Sequence, residues 1–236
     1  MPLIELTNIS KSYHIGQVSH LALQGITIAI DPARLVTFVG PSGSGKTTLL
    51  NIIGCMDKPT SGEARVAGTR TDTLDRRQAA AFRGGHLGFI FQSFNLIPVL
   101  SVYENVEYPL IMINPTPAPE RKERVLRALE AVGMAEHRDK RPDQVSGGQK
   151  QRVAVARALV TNPQVVLADE PTANLDQQTA HKIISLMRRM RDAFGTTFVF
   201  STHDPRIVEH ADEIHTLEDG RLIPGIHAIQ GGRAHA

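Results

Sequence analysis

The run Gly40-Pro41-Ser42-Gly43-Ser44-Gly45-Lys46-Thr47 fits G-x-x-x-x-G-K-[ST] without a gap, with Thr48 directly after it. Each residue type has a use in holding phosphate. Glycines let the backbone wrap around an anion that a Cβ would keep away. Successive N–H groups then point inward, and a helix start adds positive potential. Lys46 would neutralise the outer phosphates, and the Thr47 hydroxyl would bind Mg²⁺. A chance match over a chain of this length has odds of about 1 in 100, which favours a nucleotide.

A second group follows an apolar run. Val165-Val166-Leu167-Ala168 ends in Asp169 and Glu170. With a phosphate loop upstream, Asp169 would hold Mg²⁺ through a water, and Glu170 would polarise the attacking water beside the γ-phosphate. A third is Ser146-Gly147-Gly148-Gln149, at the head of the helical stretch Gly147–Val160. A hydroxyl, bare backbone N–H groups and a helix dipole make a further anion site. One chain thus carries two phosphate-binding helix starts for one expected nucleotide. A homodimer resolves this, with the Ser146 site closing on the ATP held by the other subunit.

The elements that must position these groups are readable. Residues 3–13 and 20–30 read as strands, as do Arg34–Val39, Leu87–Phe91, Gln164–Ala168 and Thr196–Phe200. Gly45–Cys55 reads as a helix with Leu49, Leu50, Ile52 and Ile53 apolar and Cys55 buried. Residues 101–160 hold no strand; Glu120–Val132 is an amphipathic helix presenting Val125, Leu129 and Val132, stopped by Gly133. Another amphipathic helix carries Ala180, Ile183, Ile184, Met187 and Phe194, and Asp219-Gly220 reads as a tight turn between short strands.

The bulk properties fit one soluble domain. The chain has 236 residues, 41% hydrophobic and 21% charged, with 26 basic and 24 acidic side chains for a net charge of +2. That balance gives no electrostatic case for nucleic acid. A single cysteine, Cys55, excludes an internal disulfide and suits a reducing compartment. No apolar run reaches the length of a membrane span, and Met1-Pro2-Leu3-Ile4-Glu5 lacks the pattern of a signal peptide. The expectation is a cytoplasmic protein whose membrane role comes through a partner.

Taken together, the motifs resemble the ATP-binding cassette (ABC) ATPases from Ile4 to about Pro224. The resemblance implies an α/β fold of the P-loop NTPase type: a RecA-like core, N-terminal antiparallel β elements and an inserted helical subdomain. It implies one domain over 3–224, with core at 3–92 and 162–224, insertion at about 93–161, and a C-terminal tail at 225–236. It also assigns roles. Tyr13 matches the aromatic that stacks on adenine, and residues 40–47 the Walker A loop. Gln92 matches the Q-loop glutamine that touches Mg²⁺ and senses the transmembrane partner. Residues 145–149 match the signature, with Val145 where Leu is commonest, and residues 165–170 match Walker B. Asn174-Leu175-Asp176 matches the D-loop at the dimer seam, and His203 the switch histidine that contacts the γ-phosphate. Catalysis would then rest on Glu170, His203, Lys46 and Gln92.

Three strings are similar to the macrolide-exporter and lipoprotein-release branch: residues 88–98, residues 102–110 and residues 167–176. That branch implies an ATPase on the inner face of the cell membrane, driving a separate integral membrane permease for export, lipoprotein release or mechanotransmission, with a periplasmic adaptor as a further partner. Cassette ATPases of DNA repair carry a long coiled coil between Walker A and the signature, and the insertion here is too short with no sustained heptads. Translation-associated relatives usually carry two cassettes in one chain. The apolar stretch after Gln92, with Phe94 and Leu96, is expected to help dock the permease.

Overall fold

The computed structural model describes residues 1–16, 18–113 and 116–224; the tail expected at 225–236 lies outside the described residues. Among the described residues, ten strands run in chain order: β1 (Ile4–Ile15), β2 (Val18–Ile30), β3 (Leu35–Val39), β4 (Ser61–Val66), β5 (Thr69–Arg70), β6 (Leu87–Phe91), β7 (Val165–Asp169), β8 (Thr197–Ser201), β9 (Glu213–Glu218) and β10 (Arg221–Leu222). The helices are α1 (Lys46–Ile53), α2 (Arg76–His86), α3 (Val102–Met112), α4 (Ala118–Ala131), α5 (Gly147–Leu159), α6 (Gln177–Phe194) and α7 (Pro205–Val208).

Two sheets form. The antiparallel one has the order β2-β1-β4-β5, and the other the order β10-β9-β3-β8-β7-β6. In the second sheet β9, β3, β8, β7 and β6 are parallel, and only β10 runs against its neighbour. A strand covered on both faces reads as a continuous apolar run. Hence Leu35, Val36 and Phe38 of β3 are buried, as are Val165 to Ala168 of β7 and all of β8.

Register decides what the fold can do. Phe38 pairs with Ser201, Ser201 with Asp169, and Asp169 with Phe91. The C-terminal ends of four strands therefore lie level, and the residues that follow each one share one edge of the sheet. Ligands of open parallel sheets bind at that edge.

Two apolar clusters flank the parallel sheet. One joins α3, α4, α5 and α6 through Val106, Leu129, Val153 and Met187; the other joins α1 to β1, β2 and β4 through Leu49, Ile53, Ile4 and Ile26. No strand interrupts the described residues between β6 and β7. Val125, Leu129 and Val132 are buried, and Gly133, at φ 68°, ends that helical stretch. Asp219 (φ 44°) and Gly220 (φ 76°) form the turn between β9 and β10.

Two expectations need correcting. The helix read as Gly45–Cys55 ends at Ile53, and Cys55 sits beyond it at φ 53°, though still buried. Phe194, assigned to an apolar face, is 47% exposed in the last turn of α6, which runs past the core. Strands β4 and β5 and helices α2, α3 and α7 have no counterpart among the elements expected from the sequence.

Candidate nucleotide site

The loop from Gly40 to Gly45 leaves β3 and enters α1, so the N-terminus of α1 faces the level strand ends. Gly40 has φ 151°, and a Cβ there would meet the Leu217 carbonyl oxygen at 2.0 Å. Gly45, at φ 103°, would bring a Cβ within 2.6 Å of the Ala22 carbonyl oxygen. Only glycine fits either place. Lys46 Nζ reaches back over this loop and donates to the Gly40 and Pro41 carbonyl oxygens, both at 2.8 Å.

These residues open onto a cleft of about 770 Å³. Tyr13, Gln92, Asp169, Glu170 and His203 line it. Pro41, Ser42, Gly43, Thr47 and Thr48 line it too, while Ser44 is buried inside the loop. The Thr47 hydroxyl lies 3.2 and 3.4 Å from the two Asp169 carboxylate oxygens. A hydroxyl and a carboxylate converging beside a phosphate cradle are the hard oxygen donors that suit Mg²⁺.

Glu170 is held from two directions. Its backbone N–H donates to the Ser201 carbonyl at 2.8 Å, with φ 46° in the left-handed region. Its side chain accepts from Thr202 Oγ1 at 2.9 Å, and its other oxygen lies 2.7 Å from His203 Nδ1. The His203 ring is otherwise open, 77% exposed at the cleft mouth.

Beneath this loop, Asp204 is buried. It accepts from Thr172 Oγ1 at 2.6 Å and from the Arg206 guanidinium through both oxygens. Burial pushes its carboxyl up, but the Arg206 and Thr172 hydrogen bonds outweigh that and hold it down at about 2. The strand end at Asp169-Glu170 is thus tied to the loop after β8.

The cleft does not contain every residue singled out in the sequence. Ser146, Gly147, Gly148, Gln149 and Asp176 do not line it. Ser146 caps α5, accepting from the Gln149 N–H at 3.3 Å while Gln149 Oε1 accepts from the Ser146 N–H. Asp176 caps α6 by accepting from the Thr179 N–H, which holds its carboxyl below the usual range. These two helix starts touch: a Cβ on Gly148 would lie 2.3 Å from Thr179 Cγ2. Asn174 Nδ2 donates to the Gln92 carbonyl at 2.9 Å, linking this second group to the cleft edge.

A family model described as "ABC transporter" matches residues 23–173. The chain belongs to the ABC transporter family. It is 44% identical to the uncharacterised ABC transporter ATP-binding protein MJ0796 of Methanocaldococcus jannaschii, over 93% of this chain and 95% of that one. It is 43% identical to the macrolide export ATP-binding/permease protein MacB of Syntrophobacter fumaroxidans, over 97% of this chain but 32% of the relative. The chain therefore spans about a third of the macrolide-export relatives and nearly all of MJ0796. A dimeric, post-hydrolysis structure of the MJ0796 cassette bound to ADP and Pi is similar at a TM-score of 0.85 and 41% identity, covering 93% of this chain and 96% of that chain.

As an ABC cassette the chain is an ATPase of the P-loop fold, with the α/β core expected from its motifs. Sequence reasoning missed His20, Ala22, Ala173 and Ser201, which also line the cleft, and Thr202, which grips Glu170. Thr202 stands next to His203, and its hydroxyl was the available signal.

Proposed function

We propose that this chain is the ATPase subunit of a two-part transporter, dimerising head to tail around two Mg-ATP and driving a separate membrane permease. The observation that carries this is the separation of the two anion sites. The cradle at Gly40–Thr48 opens onto the cleft, while the Ser146 helix start lies outside it. A second copy turned toward the first would bring its Ser146-Gly147-Gly148 onto the γ-phosphate.

Within each site the residues divide the work. Tyr13 stacks on the base, and the loop amides with Lys46 bind phosphate. Thr47, Asp169 and Gln92 would hold Mg²⁺, which, when bound, neutralises charge on the phosphates. Glu170 accepts a proton from the attacking water, and His203 orients that carboxylate and contacts the γ-phosphate. Asp176, at the start of α6, stands at the seam between subunits.

Coupling runs along α5. Its first residues form the signature, and from its last turn Arg157 donates to the Phe94 carbonyl at 2.7 Å. Phe94 and Asn95 follow Gln92 with φ of 62° and 46°. Motion at the signature thus reaches the loop after Gln92. Leu96 packs against the core, so the proposed docking surface rests on Phe94 and on the neighbouring groove of about 200 Å³ lined by Phe89, Phe91, Pro109 and Ile113. Tyr108, Ile111 and Met112 stand exposed on α3, from which Pro109 and Ile113 reach that groove. Apolar surface left exposed beside a groove suits a short permease helix.

Among the described residues no helix is long and apolar enough to cross a membrane. The proposed location is the cytoplasmic, inner face of the cell membrane, held there by the permease, with a periplasmic adaptor as a further component. Export or lipoprotein release is the proposed task, in keeping with the macrolide-export relatives.

Two variants test the two-site reading. Lys46→Ala should lose ATP affinity in the monomer. Ser146→Arg should bind ATP as the parent does yet hydrolyse none, because it obstructs only the partner's site. Equal loss of affinity in both would overturn the reading.

A further inference from the structure

Tyr13 is not a free aromatic at the rim of the cleft. Its hydroxyl donates to Asp57 Oδ2 at 2.8 Å, across 44 residues of sequence. The other oxygen of Asp57 accepts from Lys11 Nζ at 2.6 Å, and that ammonium also donates to the Lys58 carbonyl at 2.8 Å. The same ammonium lies 4.9 Å from the centre of the Tyr13 ring, within the range of a cation–π contact. Lys11 and Tyr13 are two apart on β1 and so project to one side of the strand. Lys11 does not line the cleft, whereas Tyr13 does. The ammonium thus lies over a ring that itself lines the cleft.

The loop carrying Asp57 is itself fixed. It leaves the end of α1, where the Asp57 N–H donates to the Asn51 carbonyl at 3.2 Å. It then runs along β1, with the Thr60 N–H donating to the Ser10 carbonyl at 2.8 Å and the Ser12 N–H to Thr60 Oγ1 at 3.0 Å. Helix α1 begins at the phosphate cradle, so Asp57 joins the element that holds phosphate to the ring beside it. An aromatic that stacks on a base adds affinity in proportion to how well it is already held in the bound orientation.

We infer that Asp57 and Lys11 are positioning residues for the base, locking the Tyr13 ring as a preformed stacking platform at a fixed offset from the phosphate cradle. The inference rests on the reading of Tyr13 as the base-stacking residue. The paired acid and base also carry their own charge balance, so the platform adds no net charge near the nucleotide. Burial pushes the Asp57 carboxyl up, but hydrogen bonds from Lys11 and Tyr13 more than reverse this, and it stays ionised at neutral pH.

The test separates base from phosphate. Affinities for ATP and for inorganic tripolyphosphate are measured by calorimetry with the full chain and its Tyr13→Ala, Asp57→Ala, Asp57→Asn and Lys11→Met variants. Tyr13→Ala should weaken ATP by roughly tenfold or more and leave tripolyphosphate unchanged. Asp57→Ala should weaken ATP by about threefold to tenfold with tripolyphosphate again unchanged. Asp57→Asn, which keeps an acceptor for the hydroxyl, should recover part of that loss. Lys11→Met should fall between Asp57→Ala and the parent. In the Tyr13→Ala background Asp57→Ala should have no further effect. If Tyr13→Ala weakens ATP but Asp57→Ala does not, the positioning role is overturned while the stacking role stands. If Asp57→Ala weakens both ligands equally, Asp57 only supports the loop and the proposal fails. If Tyr13→Ala leaves ATP binding unchanged, the stacking reading itself fails.

Discussion

His203 Nδ1 lies 2.7 Å from Glu170 Oε1, although the two residues are 33 apart in sequence. They meet because β7 and β8 are parallel neighbours with Asp169 paired to Ser201. An ionised carboxylate only accepts, so the ring nitrogen facing it carries the proton. Thr202 Oγ1 fills the other oxygen, and the carboxylate is left with one orientation.

His203→Ala should lower the turnover number by about a hundredfold or more, the usual scale for losing a preorganised group that contacts the developing charge. ATP affinity should stay within about threefold of the parent, since the cradle is untouched. Steady-state hydrolysis beside equilibrium nucleotide binding checks this. A variant turning over at the parent rate would remove His203 from the mechanism.

Asp204 gives a pH dependence with a definite sign. Its carboxyl is held at about 2, below the value near 3.9 of an unfolded chain. The folded state therefore binds fewer protons, and the stabilisation is complete above pH ~4. It is lost as the pH falls through about 2. The contribution at neutral pH is on the order of 2 kcal/mol. Asp204→Asn should lower denaturant stability at pH 7 by about that amount and flatten the loss between pH ~4 and ~2. An unchanged acid limb in the variant would contradict this.

Gly148 packs against Thr179, and a Cβ there would fall 2.3 Å from Thr179 Cγ2. Gly148→Ala should destabilise the chain by about 1–3 kcal/mol through overpacking. Thr179→Ser removes the offending methyl, so the double variant should recover most of the loss. Thermal melting of the four proteins checks it; additive losses would mean that the two helix starts do not press on each other.

Much of the site was legible because each part follows a continuous apolar strand. Val39, Phe91, Asp169 and Ser201 end runs that only burial on both faces explains, and the chemistry begins one or two residues later. What local pattern cannot state is strand order. β8, late in the chain, inserts between β3 and β7, and this brings His203 to Glu170. The missed elements have weak patterns for physical reasons. In β4 only Ala64 and Val66 are buried, too short an alternation to read. In α2 the buried residues are Ala79, Phe82 and Gly84 among arginines, but Asp75 and Gln78 form a capping box that was present in the sequence. Asp57 was silent because its partner, Tyr13, is chosen by tertiary contact.

The central claim is that hydrolysis needs two chains, each completing the other's site. Glu170→Gln keeps the shape of the site and removes the base, so ATP should bind but persist. Light scattering on the Glu170→Gln chain, eluted with Mg-ATP, should give a mass twice that of the chain without nucleotide, and adding Ser146→Arg should return it to the monomer. A Glu170→Gln chain that remains monomeric at saturating Mg-ATP, or one that hydrolyses at the parent rate, would contradict the account.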